Sequence, residues 1–142
     1  MNELKRSSID FDAKFRDFKF SDEVLLRGTF KTTPKWTKVQ FQHFIDNLGF
    51  NLISQNERKI KFHFKLVMRP DIGEINFDGE CVLESPEQNK IEFLIQNAPQ
   101  PLRKLVDIFI LKNSYYYAEK FAKQENFIFP SAKEILRRFK IN

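Results

Sequence analysis

Apolar and polar residues alternate over two successive stretches in the middle of the chain, and this period of two is typical of half-buried β-strands. The first stretch covers residues 59–69 and the second covers residues 74–84. Residues 70–73 between them, Pro-Asp-Ile-Gly, favour a turn. The pattern therefore predicts an antiparallel hairpin. Its apolar face comprises Ile60, Phe62, Phe64, Leu66 and Met68 on one strand and Ile75, Phe77, Gly79, Cys81 and Leu83 on the other.

Charged residues occupy the opposite face of this hairpin and indicate its register. The expected pairs are Arg69 with Glu74, Lys65 with Asp78, His63 with Glu80, and Lys59 with Glu84. Each opposed pair contributes about 0.2–1 kcal/mol. The same register places Phe64 over Gly79, a common way to cover a strand glycine. Because the densest basic stripe is neutralised in this way, the hairpin does not favour nucleic-acid binding, and His63 is expected to be a surface pair rather than a catalytic base.

The N-terminal third of the chain is also predicted to be largely β-structure. Residues 9–20 fit a strand in which the apolar period slips by one residue after Phe15, as at a β-bulge. Residues 21–30 fit a helix by their capping residues and a strand by their composition, so both interpretations stay open. Residues 39–45 favour a strand over a short helix, and residues 46–49 favour a turn.

Towards the C-terminus the apolar period changes from two to about 3.6, which indicates a helix after one more short strand at residues 91–95. Pro99 and Pro101 open this helix, since proline is tolerated in the first turn, and the pattern continues to about Gln124. The apolar residues of the helix form two stripes. The first comprises Leu102, Leu105, Val106, Phe109, Tyr116 and Phe121, and the second comprises Ile108, Leu111, Tyr115, Ala118 and Ala122.

The second stripe needs a partner other than the sheet, because a helix that lies on a sheet buries only one face. One candidate is the final segment, residues 131–141, which begins with a capping box formed by Ser131 and Glu134. The other is the same helix of a second subunit. Both interpretations stay open. On the second one, the predicted oligomer interface consists of Ile108, Leu111 and Tyr115.

Length and composition indicate one α+β domain over residues 1–142, an antiparallel sheet meander with a long C-terminal helix packed on one face. No stretch approaches the ~20 apolar residues of a membrane span. The first ten residues lack the apolar stretch of a signal peptide, and the single cysteine excludes an intrachain disulfide framework. We therefore expect a cytoplasmic protein. The net charge of +5 permits nucleic-acid binding, but a soluble, self-repelling protein is the plainer interpretation.

The chain contains no recognisable catalytic or metal-binding set of residues. It has four glycines and no phosphate-binding loop, its two histidines (His43 and His63) lie on different segments, and Cys81 lies on an apolar strand face. We therefore expect neither an enzyme nor a cofactor nor a metal. The 17 phenylalanines instead supply apolar area that can fill a core, line a cavity for a small ligand, or form grooves for extended polypeptide.

The order of these segments resembles that of the SecB-like export chaperones. Residues 16–20, Arg-Asp-Phe-Lys-Phe, are similar to the family's first-strand pattern. Trp36, followed by a strand at residues 39–44, is similar to the tryptophan before the family's second strand. The hairpin, the proline-opened long helix and a C-terminal segment with Phe129-Pro130 then follow in the family's order.

The resemblance implies a homotetramer, built as a dimer of dimers, that holds unfolded or extended polypeptide in apolar grooves without ATP and has a link to protein export. The groove residues that it implies are Phe18, Phe20, Phe30, Trp36 and Phe41. The chain departs from the bacterial family at Ala98-Pro99 and at residues 116–118, where the family has Cys-Pro and an aromatic-Pro-Tyr-Ala-Arg sequence. It is also basic, whereas the bacterial proteins are acidic, so a divergent SecB-like chaperone is the better description.

Two other functions fit the same pattern. A helix-grip domain that binds a small apolar ligand also combines a strand meander with a long C-terminal helix, although that fold usually ends with its long helix, and here a segment follows Phe129. A basic accessory protein for nucleic acid would show binding that falls steeply with salt. Oligomeric state and any ligand that copurifies would separate the first alternative from a chaperone.

Overall fold

Four antiparallel strands form one sheet, and three helices pack on one of its faces. The structure, a computed structural model, describes residues 12–29 and 35–141. The strands are β1 (Lys14–Arg27), β2 (Gln40–Ser54), β3 (Glu57–Arg69) and β4 (Gly73–Glu84), and the helices are α1 (Lys90–Asn97), α2 (Pro99–Gln124) and α3 (Ala132–Arg138). The order across the sheet is β1-β4-β3-β2. This arrangement confirms the α+β prediction, whereas a single domain over the whole chain stays a prediction.

The central hairpin is confirmed, but its register differs by two residues from the predicted one. His63 lies opposite Asp78, Lys61 opposite Glu80, and Phe62, not Phe64, opposite Gly79. A shift of two residues leaves the faces unchanged, which is why the predicted buried face is correct while the predicted pairs are wrong. The hairpin closes with Met68 opposite Gly73 rather than Arg69 opposite Glu74, and Phe62 therefore lies over Gly79, where a side chain would overlap its ring.

The two edge strands extend further than predicted, because each continues past its predicted end through a bulge. The slip predicted after Phe15 is a bulge between Arg16 and Lys19. Residues 21–27 are strand rather than helix, after a second bulge between Ser21 and Val24. The turn predicted at residues 46–49 is wrong: β2 continues through it with a bulge, in which Gly49 has a φ of +109°. Only a residue that tolerates positive φ allows pairing with β3 to resume beyond this point.

The strand predicted at residues 91–95 is also wrong, because this segment is helix α1. Ile91 and Leu94 are buried in the core, while Phe93 is 55% exposed. An apolar spacing of three residues places side chains on one face of a helix but on opposite faces of a strand. Over such a short segment, the alternation of Ile91, Phe93 and Ile95 fits a strand as well as a helix. The burial of Leu94 together with Ile91 distinguishes the helix from the strand.

Helix α2 has the predicted bounds, and α3 has the predicted cap, in which the Ser131 hydroxyl accepts a hydrogen bond from the Glu134 backbone N–H at 3.2 Å. The buried residues of α2 form one broad face rather than two stripes, and Phe109 (36% exposed) and Tyr116 (52% exposed) lie outside it. That face comprises Leu102, Val106, Ile110, Leu111, Ser114, Tyr115, Ala118, Phe121 and Ala122. Its C-terminal half shares one apolar cluster with α3, so the intrachain partner of the helix is present. None of the described helices is long and apolar enough to cross a membrane.

Candidate functional site

Two hollows follow one another along the edge strand β2, and together we call them the β2 groove. The first, the aromatic hollow, has a volume of about 470 Å³, and its lining includes Val39, Phe41, Gln42, Arg69, Arg138 and Phe139. The second, the helix hollow, has a volume of about 460 Å³, and its lining includes His43, Ile45, Arg103, Asp107, Ile108 and Leu111. From residue 39 to residue 45 the groove follows β2 for a distance of about 20 Å, which an extended peptide of about six residues would span.

Three aromatic side chains pack together beside the aromatic hollow, and one of them, Phe41, lines it. The ring of Trp36 lies 6.0 Å from that of Phe41 and 6.5 Å from that of Phe129, and the Phe41 and Phe129 rings are 6.2 Å apart edge to face. Trp36 begins a 3-10 turn that leads into β2, and Phe129 belongs to the extended segment between α2 and α3. Phe41 is 9% exposed, whereas Trp36 is half-buried. The tryptophan therefore presents apolar surface to solvent.

Arg138, at the end of α3, joins the C-terminal segment to the start of β2. Its guanidinium donates hydrogen bonds to the backbone oxygens of Trp36 (2.7 Å) and Val39 (3.3 Å) and lies 5.4 Å from the centre of the Phe41 ring. Arginine suits this position, since its planar group can stack on an aromatic ring while its N–H groups donate sideways. Arg69 enters the same hollow from β3 and donates to the Gln42 side-chain oxygen at 3.4 Å.

His43 separates the two hollows. Its Nδ1 lies 2.8 Å from the Tyr115 hydroxyl, and its ring meets that of Phe139 edge to face at 4.8 Å. Burial lowers the pKa of His43 and raises the pKa of Tyr115, so both groups are neutral near pH 7. A neutral imidazole nitrogen can accept a hydrogen bond from the Tyr115 hydroxyl. This bond holds Tyr115 in place without a buried charge.

The helix hollow has an apolar floor and a charged rim. Ile45 on β2 and Ile108 and Leu111 on α2 supply the apolar side chains of its lining. Arg103 and Asp107, which also lie on α2, supply charged ones. Burial raises the pKa of Asp107, and Arg103 opposes that rise. The Asn47 amide also favours the ionised form of Asp107, but its geometry is too poor for a full hydrogen bond. Asp107 is therefore an incompletely satisfied carboxylate at the edge of an apolar surface.

The structure divides the predicted polypeptide-binding residues between the two edges of the sheet. Trp36 and Phe41 meet at the aromatic hollow. Phe18 and Phe20 lie on β1, three strand spacings or about 14 Å from β2 across the sheet. Phe30 lies outside the described residues. The role of all five in binding polypeptide stays a prediction.

The three predicted interface residues differ in what they expose. Ile108 is half-buried and Leu111 is 6% exposed, and both line the helix hollow. Tyr115 has no exposed surface and packs edge to face against Phe64 at 5.6 Å. Contacts within the chain thus account for the burial of Tyr115, and a subunit contact along this side of α2 stays a prediction.

The sequence-based prediction missed the contribution of the C-terminal segment to this site. Phe129, Arg138 and Phe139 lie far from β2 in sequence, and only the return of the chain after α2 brings them to it. The one available signal was the interleaving of basic and aromatic residues at 137–140, Arg-Arg-Phe-Lys.

Other places in the described residues offer less to a ligand. A concavity of about 1080 Å³ lies where the start of β1 meets the turn after β2, but Ala13 and Pro86 are its only apolar lining residues. Cys81 is buried, and burial raises the pKa of its thiol to about 12, which makes it unreactive. Residues 12–29 and 35–141 contain no group of three or more His, Cys, Asp or Glu that could hold a metal ion.

Comparison with known proteins identifies the fold. No protein-family model matches the sequence, and no curated protein matches it. Among solved structures, the chain is similar to a SecB-like chaperone from Mycobacterium tuberculosis in complex with a ChAD peptide from an antitoxin, with 12% identity, a TM-score of 0.50, and coverage of 84% of this chain and 87% of that one. This likeness shows a SecB-like fold. A weaker likeness, with 13% identity and a TM-score of 0.35, links 82% of this chain to 94% of a protein of unknown function from Streptococcus agalactiae.

Proposed function

We propose that this protein is a chaperone of the holding type, which binds extended or unfolded polypeptide in the β2 groove without ATP and is not an enzyme. The observation that carries the proposal is the aromatic hollow at an open sheet edge, which Phe41 lines and beside which the half-buried ring of Trp36 packs on Phe41. The SecB-like neighbour, which was solved with a bound peptide, supports it.

The edge position of β2 suits an extended partner. Within the described residues β2 pairs with β3 alone, so its other side presents unpaired backbone N–H and C=O groups. An extended peptide can add to such an edge by main-chain hydrogen bonds, while its alternate side chains enter pockets. The aromatic and helix hollows supply two such pockets in succession.

Holding by this means needs no chemical step. A large apolar side chain that leaves water for a hollow contributes about 1.5–3 kcal/mol, and much of that gain is offset by the cost of ordering the peptide. Binding is then reversible, and it hides the side chains through which an unfolded chain would aggregate. Release requires only a competing partner or the folding of the client.

The contribution of Trp36 can be tested with a matched aromatic control. We expect Trp36→Ala to require about tenfold more protein to suppress the aggregation of chemically unfolded luciferase, since it removes the half-buried ring that packs on Phe41 beside the aromatic hollow. Phe93→Ala removes an aromatic that is 55% exposed on α1, away from the groove, and should behave as the wild type. Equal suppression by both variants and the wild type, at unchanged melting temperature, would contradict the proposal.

The helix-grip alternative finds less support. In a helix-grip domain the ligand lies between sheet and helix, but here that space holds Phe62, Phe64, Phe77 and Tyr115, each at most 1% exposed. A link to protein export, a homotetramer and a cytoplasmic location stay predictions. Light scattering on a sizing column tests the tetramer directly.

A further inference from the structure

The positive charge of the chain is unevenly distributed. Residues 99–142 hold nine Lys and Arg and four Asp and Glu, so this part carries the whole net charge of +5 and the remainder is balanced. On the outer sheet face, basic residues of β3 meet acidic residues of β4. The contacts are Lys59–Glu80 (3.3 Å), His63–Asp78 (2.8 Å) and Lys65–Glu74 (3.8 Å). The excess of positive charge therefore belongs to the segment that contains α2 and α3.

The lining of the β2 groove contains four basic side chains and one carboxylate. Arg69 and Arg138 line the aromatic hollow, Arg103 and Lys104 line the helix hollow, and Asp107 is the only acidic residue in the lining of either. None of the four cations has a carboxylate of the described residues within 4.0 Å. Burial raises the pKa of Asp107, the one opposing carboxylate.

Both arginines of the aromatic hollow, Arg69 and Arg138, retain donors for a ligand. A guanidinium has five N–H donors, and Arg138 uses two of its groups on the backbone oxygens of Trp36 and Val39. Arg69 makes one long hydrogen bond of 3.4 Å to Gln42. Paired N–H groups next to an aromatic surface match a carboxylate that stands beside an apolar side chain on the same extended strand.

We propose that the β2 groove prefers polypeptide segments in which Asp or Glu stands within two or three residues of an aromatic or large aliphatic side chain. The inference rests on the proposed function and adds a charge preference to it. The apolar side chain occupies a hollow, and the neighbouring carboxylate meets Arg69 and Arg138 at one end or Arg103 and Lys104 at the other. Polypeptide, rather than nucleic acid, is the favoured occupant, because apolar side chains line both hollows and Lys59, His63 and Lys65 on the outer sheet face already have acidic partners.

Labelled peptides of one apolar pattern and different charge test this preference. The probes are fluorescein-labelled peptides of about twelve residues, with Phe and Leu at alternate positions and Glu, Gln or Lys between them, measured by fluorescence anisotropy. We expect the Glu peptide to bind about tenfold more tightly than the Lys peptide, and the difference to shrink between about 50 mM and 500 mM salt. Equal affinity for the three peptides would overturn the charge preference, although the proposed function would stand.

Variants locate the preference in the groove. Arg69→Gln combined with Arg103→Gln should reduce the Glu-over-Lys ratio to about threefold or less, whereas Lys133→Gln, which changes an exposed cation on α3 outside both hollows, should leave it unchanged. The same loss in both variants would overturn the assignment to the groove. Tighter binding of a labelled oligothymidylate than of the Glu peptide would overturn the choice of polypeptide. If no peptide binds and luciferase still aggregates, the proposed function itself fails.

Discussion

The two edges of the sheet are both rich in aromatic residues, yet they are covered to different extents. On β1, Phe15 stacks on Phe109 at 4.4 Å and Phe20 stacks on Tyr117 at 4.2 Å, so residues of α2 cover the strand's rings. On β2, the cover comes from α2 together with the C-terminal segment, and it leaves two hollows open. The number of aromatic residues therefore does not identify a binding surface. What identifies one is the completeness of the cover.

The edges also differ in how they resist pairing with another strand. Two bulges interrupt β1, and bulges are a common way to protect an edge from further pairing. The bulge of β2 lies between Asn47 and Phe50, beyond both hollows. Residues 40–47 of β2 therefore form a regular edge along the whole groove, which is the stretch where an added strand would bind.

The largest effect expected from this comparison is a loss of stability at the β1 edge. Phe20→Ala removes a ring that contacts Tyr117, Phe77 and Phe62, and should lower the free energy of unfolding by about 3 kcal/mol. Urea denaturation measures this loss. Suppression of luciferase aggregation at a temperature where the variant is folded should be retained. A lost holding activity in the folded variant would place the β1 edge in the binding site.

A smaller effect is expected where Arg138 closes the β2 edge. Arg138→Ala removes two hydrogen bonds and a cation–π contact and should lower the free energy of unfolding by about 1–2 kcal/mol. Arg137→Ala is the matched control, since Arg137 makes only an exposed contact with Glu134 at 3.3 Å and should cost less than about 0.5 kcal/mol. Limited proteolysis should cut the C-terminal segment faster in the first variant. Equal rates in both would show that Arg138 does not hold the segment.

The sequence was most informative where one period persists over many residues. The hairpin, the bounds of α2 and the cap of α3 were predictable because each rests on a repeated or local pattern. The register was not, because a shift of two residues keeps every side chain on its face and leaves a phenylalanine over Gly79 in either case, Phe64 in the predicted register and Phe62 in the observed one. Segment 91–95 was too short for its period to decide between helix and strand.

The candidate site was less predictable than the fold. Trp36 and Phe41 are close in sequence, and their proximity was foreseeable. The C-terminal side chains that complete the lining of the aromatic hollow, Arg138 and Phe139, follow them by about a hundred residues, and no local pattern predicts such contacts. The resemblance groups Phe18 and Phe20 with Trp36, although the strand order places them at the opposite edge.

The smallest expected effect concerns pH, and it contrasts the two histidines. Burial lowers the pKa of His43 below its ordinary 6.5, so its neutral form contributes stability that is complete above 6.5 and is lost as the pH falls through the lowered pKa. The hydrogen bond with Asp78 raises the pKa of His63, so its contribution is complete below 6.5 and is lost as the pH rises through the raised value.

Urea denaturation at about pH 7.5 and pH 5 compares the wild type with two variants. His43→Gln should reduce the loss of stability on acidification, because a neutral amide can still accept from Tyr115, whereas His63→Gln should increase it. Since both variants share the same titrating carboxylates, an unchanged loss in His43→Gln would mean that the imidazole between the two hollows takes up its proton as freely as in the unfolded chain.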